Sequence, residues 1–210
     1  ADFGSINLDL VLGLPHQNQA TLAATLDWVI GQSPERIALY QYAHMPARFP
    51  AQRAIADATL PSLSERYALQ HQSQVRLEAA GYVEIGMDHF ARPDDALAVA
   101  QANAQLRRNF QGYTVLGECD LIGFGLSAIS NVGRCMAQNT TDLQLYHQRV
   151  ATGGSAIHRG LSRSEEDQRR AALIEELMCT RELDTARIAH REGIDFAQHF
   201  AASIQQLDSL

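Results

Sequence analysis

Apolar and polar residues alternate strictly over residues 6–13. Ile6, Leu8, Leu10 and Leu12 fall on one side of an extended chain, and Asn7, Asp9 and Val11 on the other. A barrel strand has this pattern when its greasy face meets outer helices and its polar face looks into the lumen. After the turn-rich residues 15–18, Leu22, Leu26, Val29 and Ile30 recur at helical spacing, and residues 37–43 read as a second strand. Ser62 and Glu65 form a capping box for a helix that runs to about Ala80, with Gly81 placed to stop it. Residues 82–90 read as a third strand, and Pro93 sits where the next helix would begin. Strand and helix alternating three times predicts parallel βαβ units. Three such strands do not close a barrel and leave a raw edge, so the chain reads as part of a longer protein, with self-association through that edge expected.

From Gln111 the texture changes. Gly112, Gly117, Gly123, Gly125 and Gly133 break up a short apolar stretch, which predicts loops or small strands covering the barrel mouth. The remainder reads as helical. A second capping box, Ser162 with Glu165, starts a helix lined by Leu173, Ile174, Leu177 and Met178. A short helix over residues 185–191 follows, then a Gly193-Ile194-Asp195 turn and a helix with Phe196, Phe200, Ile204 and Leu207 on one stripe. This is a helix-turn-helix shape, but residues 192–210 hold no arginine or lysine, while Glu192, Asp195 and Asp208 are acidic. A recognition helix of that composition would meet phosphates with the wrong field, so we read a packing module and no nucleic-acid partner.

Composition narrows the class further. With 210 residues and 46% hydrophobic content the chain can bury a sizeable core in one or two domains. No apolar run is long enough to span a membrane, and no charged-then-apolar start suggests secretion. Cys119, Cys135 and Cys179 lack the spacing of a ligand loop or a redox pair, which fits buried or incidental thiols in a reducing cytoplasm. The net charge is −7, and all 17 basic side chains are arginine, the side chain best shaped to grip carboxylates through paired hydrogen bonds.

Asp9 is the leading candidate for chemistry. It lies in the later part of its strand on the face that carries Asn7, and a carboxylate there can accept from a ribose or an ammonium group; a solvated or capping role is the alternative. Gln111 can both donate and accept, so it either orients a ligand edge or orders its own loop. Asp88, His89, Arg92, Asp94 and Asp95 form a dense ionisable cluster. It is open to three readings: a metal site, for which neighbouring strand residues point awkwardly apart; acid–base work by His89; or capping by Asp94 and Asp95 with Arg92 in an ion pair. Arg92, Arg107 and Arg108 are candidate carboxylate anchors.

The sequences GMDHFARPDD, RRNFQGYT and DLIGFGLSAIS within residues 86–130, with INLDLVLGLP at residues 6–15 and QYAH at residues 41–44, closely resemble the oxygen-independent coproporphyrinogen III oxidase family. The resemblance covers nearly all of this chain but only the later part of the family, without its CxxxCxxC motif. It implies an α/β fold: a partial parallel (β/α) radical-SAM barrel at residues 1–110, then a covering segment and a mostly helical, winged-helix-like C-terminal domain at residues 111–210. It implies S-adenosylmethionine as cofactor, two molecules in the family, with Asp9 and Ala43 at the first and Gln111 and Ile129 near the second. Alone, Ala43 says nothing and Ile129 reads as core. The resemblance also implies a 4Fe–4S cluster in the parent enzyme, with no metal ligands in this chain and no catalytic residue assigned. The parent activity it implies is conversion of two propionates of coproporphyrinogen III to vinyl groups in the cytoplasm, with this piece inactive alone. A haem-handling relative that shares the barrel, and a noncatalytic helix-turn-helix interaction protein, are the rivals; HFARPDD and NFQGYT resemble the oxidase more than that relative.

Overall fold

A computed structural model describes residues 3–117 and 119–207, so Asp208 lies outside the described residues. The chain divides into two compact units, Ala1–Gln105 and Leu106–Leu210.

The first unit is a mixed four-stranded sheet with two helices packed on its core face. β1 (Asn7–Leu12) pairs in parallel with β2 (Arg36–Gln41), joined through α1 (Gln19–Gln32). Asn18 caps α1 by accepting from the backbone N–H groups of Ala20 and Thr21. The alternation read in β1 holds: Leu12 is fully buried, Leu8 and Leu10 pack on the core, and Asn7, Asp9 and Val11 face outward. Leu22, Leu26 and Val29 of α1 meet Leu69 and Leu77 of α2 (Leu63–Ala79) in that same core, with Ile37, Leu39, Tyr82 and Phe90. Ser62 caps α2 in the expected box with Glu65, whose carboxyl is held below the usual range by its Ser62 hydrogen bonds.

The expected third parallel strand is instead an antiparallel hairpin. β3 (Val83–Gly86) turns through Met87 and Asp88 into β4 (His89–Ala91), and β4 pairs antiparallel with β2, giving the order β1-β2-β4-β3. Met87 and Asp88 both have positive φ, 40° and 69°, the signature of a two-residue type I′ turn. Neither residue is a glycine or asparagine, so the turn carries no local signal, and a continuous alternation hides it. The partial parallel barrel is therefore corrected to an open mixed sheet with one parallel pair. Pro93 does not start the next helix either; it occupies a turn closed by the Asp95 N–H to Arg92 C=O bond, and Asp95 caps α3 (Ala96–Ala102).

The second unit is less helical than expected. β5 (Arg107–Asn109) and β6 (Gly112–Thr114) form a small hairpin. β7 (Ile129–Val132), β8 (Cys135–Asn139) and β9 (Ile157–Ser162) make a three-stranded antiparallel sheet, with α4 (Leu143–Ala151) between the last two. Because Ser162 pairs with Cys135 at the end of β9, the helix cannot start there. Its capping box is Ser164 with Asp167, two residues later, and α5 runs Glu165–Thr180. Leu173 is buried on α5, but Ile174 and Leu177 are exposed, which corrects the expected stripe. α6 (Thr185–Glu192), α7 (Phe196–His199) and α8 (Ala201–Leu207) follow, the last two separated at Phe200. Leu173, Ile188 and Phe200 form their core, with Leu183, Ile194 and Phe196 packed around it. The cations of α5 and α6 are engaged within the unit: Arg169 and Arg170 with Glu166, and Arg187 and Arg191 with Glu176.

Candidate functional site

The outward face of the first sheet is built by strand register. Asp9 pairs with Ala38, and Ala38 with His89, so the three stand in one row across β1, β2 and β4. Asp9 is exposed, in the middle of β1 rather than near its end, and its Oδ1 accepts from Asn7 Nδ2 at 2.6 Å. Ala38, the smallest side chain of the row, is buried between them at 1% exposure. Tyr40 stands beside it, its ring edge-on to His89 with centroids 5.9 Å apart. The face thus offers an acceptor, an imidazole and an aromatic wall, a set that suits a polar ligand with an aromatic or sugar part.

Ala43 lies just beyond β2, at the carboxyl ends of the parallel pair, where it lines a hollow of about 300 Å³ with Gly13, Tyr42, His44, Leu60 and Arg66. Its carbonyl accepts from Gln52 Nε2 at 3.1 Å, so its backbone is fixed. Gln17 closes the β1 end by accepting from the Gly13 N–H at 2.6 Å.

In the second unit Gln111 is exposed at the tip of the β5–β6 hairpin, its N–H donating to Asn109 Oδ1 at 2.8 Å, with Phe110 beside it 62% exposed. Ile129 begins β7 in register with Gln138, which is itself opposite Arg159. Ile129 is half-buried rather than core, and it lines a second hollow of about 300 Å³ with Met136, Gln138, Arg159 and Leu161. Gly123 lies against its backbone: a Cβ there would come within 2.5 Å of the Ile129 carbonyl oxygen. Asp9 and Ala43 thus belong to one unit, Gln111 and Ile129 to the other.

The acidic cluster is structural in its bonding. Asp95 is buried, accepts from the Leu97 N–H at 2.8 Å and holds Arg36 Nε with both oxygens, at 3.0 and 2.9 Å. Arg92 donates to Ser33 Oγ at 2.6 Å and pairs with exposed Asp94 at 3.5 Å, so it is engaged in the fold. Asp88 accepts from Gln70 Nε2 of α2 at 2.9 Å, whereas His89 meets Tyr40 edge-on; among the described residues no three His, Cys, Asp or Glu side chains converge as metal ligands. Arg108 lies over the Tyr113 ring, 4.7 Å from its centroid, and Arg107 packs its stem on Gly117. Cys119 and Cys135 are exposed, and burial pushes the Cys179 thiol up.

Burial also pushes the Asp88 carboxyl up, a rise to which Glu84 adds and which Gln70 and His89 oppose. A carboxyl raised on folding contributes stability that is complete below its unfolded-state value and is lost as pH rises through the folded-state value. Asp88→Asn keeps the acceptor for Gln70, removes the charge and suits positive φ. We expect it to be more stable than the parent at pH 7 by up to about 1 kcal/mol. The advantage should shrink near pH 3, as thermal melts at the two pH values would show; equal gains at both would contradict this account.

Sequence reasoning missed His89 as the row partner of Asp9, and it missed Arg66. The first follows from antiparallel register that no local signal announces; the second belongs to a helix legible only from its ends, the Ser62–Glu65 box and Gly81.

No family profile matches the chain. The oxygen-independent coproporphyrinogen III oxidase of Salmonella typhimurium is 45% identical over 208 residues, covering 99% of this chain and 46% of the relative. That of Pseudomonas aeruginosa is 46% identical over 199 residues, 95% of this chain and 43% of the relative. The solved coproporphyrinogen III oxidase of Escherichia coli, described as a radical SAM enzyme, superposes with a TM-score of 0.92 at 44% identity, covering 98% of this chain and 47% of that one. The chain spans about half the length of the relatives it matches. At this identity over nearly every residue, the chain is a homologue of one portion of the oxygen-independent coproporphyrinogen III oxidases.

Proposed function

We propose that the chain provides cofactor- and substrate-positioning surfaces of an oxygen-independent coproporphyrinogen III oxidase, which decarboxylates two propionates of coproporphyrinogen III to vinyl groups in haem biosynthesis. The observation that carries this reading is 45% identity over 99% of the chain to a relative of that name. Asp9 fits S-adenosylmethionine: an exposed carboxylate held by one neighbour has acceptor capacity to spare for ribose hydroxyls. Ala43 would border the same molecule through its fixed backbone at the strand ends, the usual ligand position in parallel α/β structure. Gln111 and Ile129 would serve a second cofactor molecule, the amide by orienting a polar edge and the isoleucine by apolar contact.

When bound, S-adenosylmethionine and a 4Fe–4S cluster supply the one-electron chemistry that removes hydrogen from a propionate arm. The three cysteines of this chain do not fit that cluster: two are exposed, one is buried, and no ligand set converges among the described residues. The chain's own contribution is to bind, orient and exclude water, and it is expected to be inactive alone.

Joining this chain to the part of the Escherichia coli enzyme that it does not match tests the reading. The chimera, with its cluster verified by absorbance, should convert coproporphyrinogen III anaerobically with release of carbon dioxide, while the 210-residue chain should give none. A cluster-loaded chimera that cleaves S-adenosylmethionine yet leaves the propionates intact would refute it.

A further inference from the structure

We infer that the hollow at the carboxyl ends of β1 and β2 is a subsite for an aliphatic carboxylate, anchored by Arg66. Arg66 lies in the first turn of α2 and lines the hollow with Gly13, Tyr42, Ala43, His44 and Leu60. Its Nε is buried and without a hydrogen-bond partner, and its guanidinium enters no ion pair among the described residues. The other arginines of this unit are committed: Arg36 to Asp95, Arg76 to Asp27, Arg92 to Asp94, Arg53 to the Pro46 carbonyl, and Arg48 over the Phe49 ring. A buried guanidinium donor left open in this way is complete only when an acceptor enters, and a carboxylate matches its fork with two parallel bonds.

The surroundings favour an anion. No Asp or Glu lines the hollow. Asp57 is 3.3 Å from His44 Nε2, and Glu65 is tied to the Ser62 N–H and hydroxyl, both at 2.7 Å. Gly13, at φ +84°, makes room for the arginine stem, since a Cβ there would lie 3.2 Å from Arg66 Cδ. Beside the Tyr42 hydroxyl and the His44 ring, Ala43, Met45, Leu60 and Pro61 supply an apolar part of the wall, against which a short hydrocarbon arm bearing the carboxylate can lie. A volume of about 300 Å³ accommodates an arm of that length. Two molecules of the proposed reaction carry such a group, the propionate arm of the substrate and the amino-acid end of the cofactor, and only this choice of source rests on the proposed function.

Nitrogen-15 NMR of the 210-residue chain reads the Arg66 Nε–H directly. Sodium propionate and L-methionine would be titrated separately, each against sodium chloride at equal ionic strength. We expect a saturable shift at Arg66 Nε that the other arginines do not share. Arg66→Gln should weaken binding about tenfold or more, and Arg66→Lys, which keeps the charge, should weaken it less. Tighter binding of propionate assigns the subsite to a propionate arm, and tighter binding of L-methionine to the amino-acid end of the cofactor. An Arg66 response no larger than in sodium chloride, or saturation undiminished in Arg66→Gln, overturns the inference. These readings need neither cluster nor turnover: a chimera that fails to decarboxylate leaves them standing, and an active chimera does not rescue a silent Arg66.

Discussion

Replacing Asp95 by alanine is expected to cost about 3 kcal/mol of stability. The side chain is 4% exposed and does two things at once. It caps α3 through the Leu97 N–H, an interaction worth roughly 1 kcal/mol, and it neutralises Arg36 with both oxygens. Removing it leaves a guanidinium that is 32% exposed, so water compensates only part of the lost pair. Asp95→Asn retains the cap acceptor and should lose less. In the double variant Arg36→Met, Asp95→Ala no cation is stranded, and about 1 kcal/mol or more should return relative to Asp95→Ala alone. Urea titrations of the four proteins measure this; a cost below 1 kcal/mol for Asp95→Ala would show that the pair is not a clamp on the β2–α3 junction.

The largest expected functional effect is at Asp9. In the chimeric enzyme Asp9→Ala should lower kcat/KM by about tenfold to hundredfold, mainly through a raised KM for S-adenosylmethionine, as loss of a charge-assisted hydrogen bond to a ligand hydroxyl implies. Stability should barely change, because among the described residues the exposed carboxylate bonds to Asn7 alone. His89→Ala is the comparison across the row, two strands away. If Asp9→Ala left the KM for S-adenosylmethionine unchanged, or reduced activity only in step with a loss of folding, Asp9 would not be a cofactor contact.

The sequence by itself determined those elements whose signal is local. The alternation of β1, the leucine spacing of α1, and the Ser62–Glu65 box of α2 each place apolar groups or caps by periodicity alone, and each is present in the fold. Similarity to the oxidases was legible for the same reason, since it is carried by runs of neighbouring residues such as HFARPDD and NFQGYT. What only the tertiary structure decided depends on partners distant in sequence. The strand read over residues 82–90 folds back at Met87-Asp88 because β4 finds its ladder on β2, and a turn without glycine or asparagine announces nothing. β9 is exposed along its whole length and has little strand character of its own; it exists because β8 offers it hydrogen bonds, and that pairing moves the start of α5 from Ser162 to Ser164. The site follows the same division. Asp9 could be placed on an outward face from period two alone, but the Asp9–Ala38–His89 row requires strand register, and the open Nε of Arg66 requires the chain from β1, β2 and α2 to meet. A one-dimensional pattern fixes which way a side chain turns from its own strand or helix; which groups it then faces, and whether they leave a donor without an acceptor, is a property of packing.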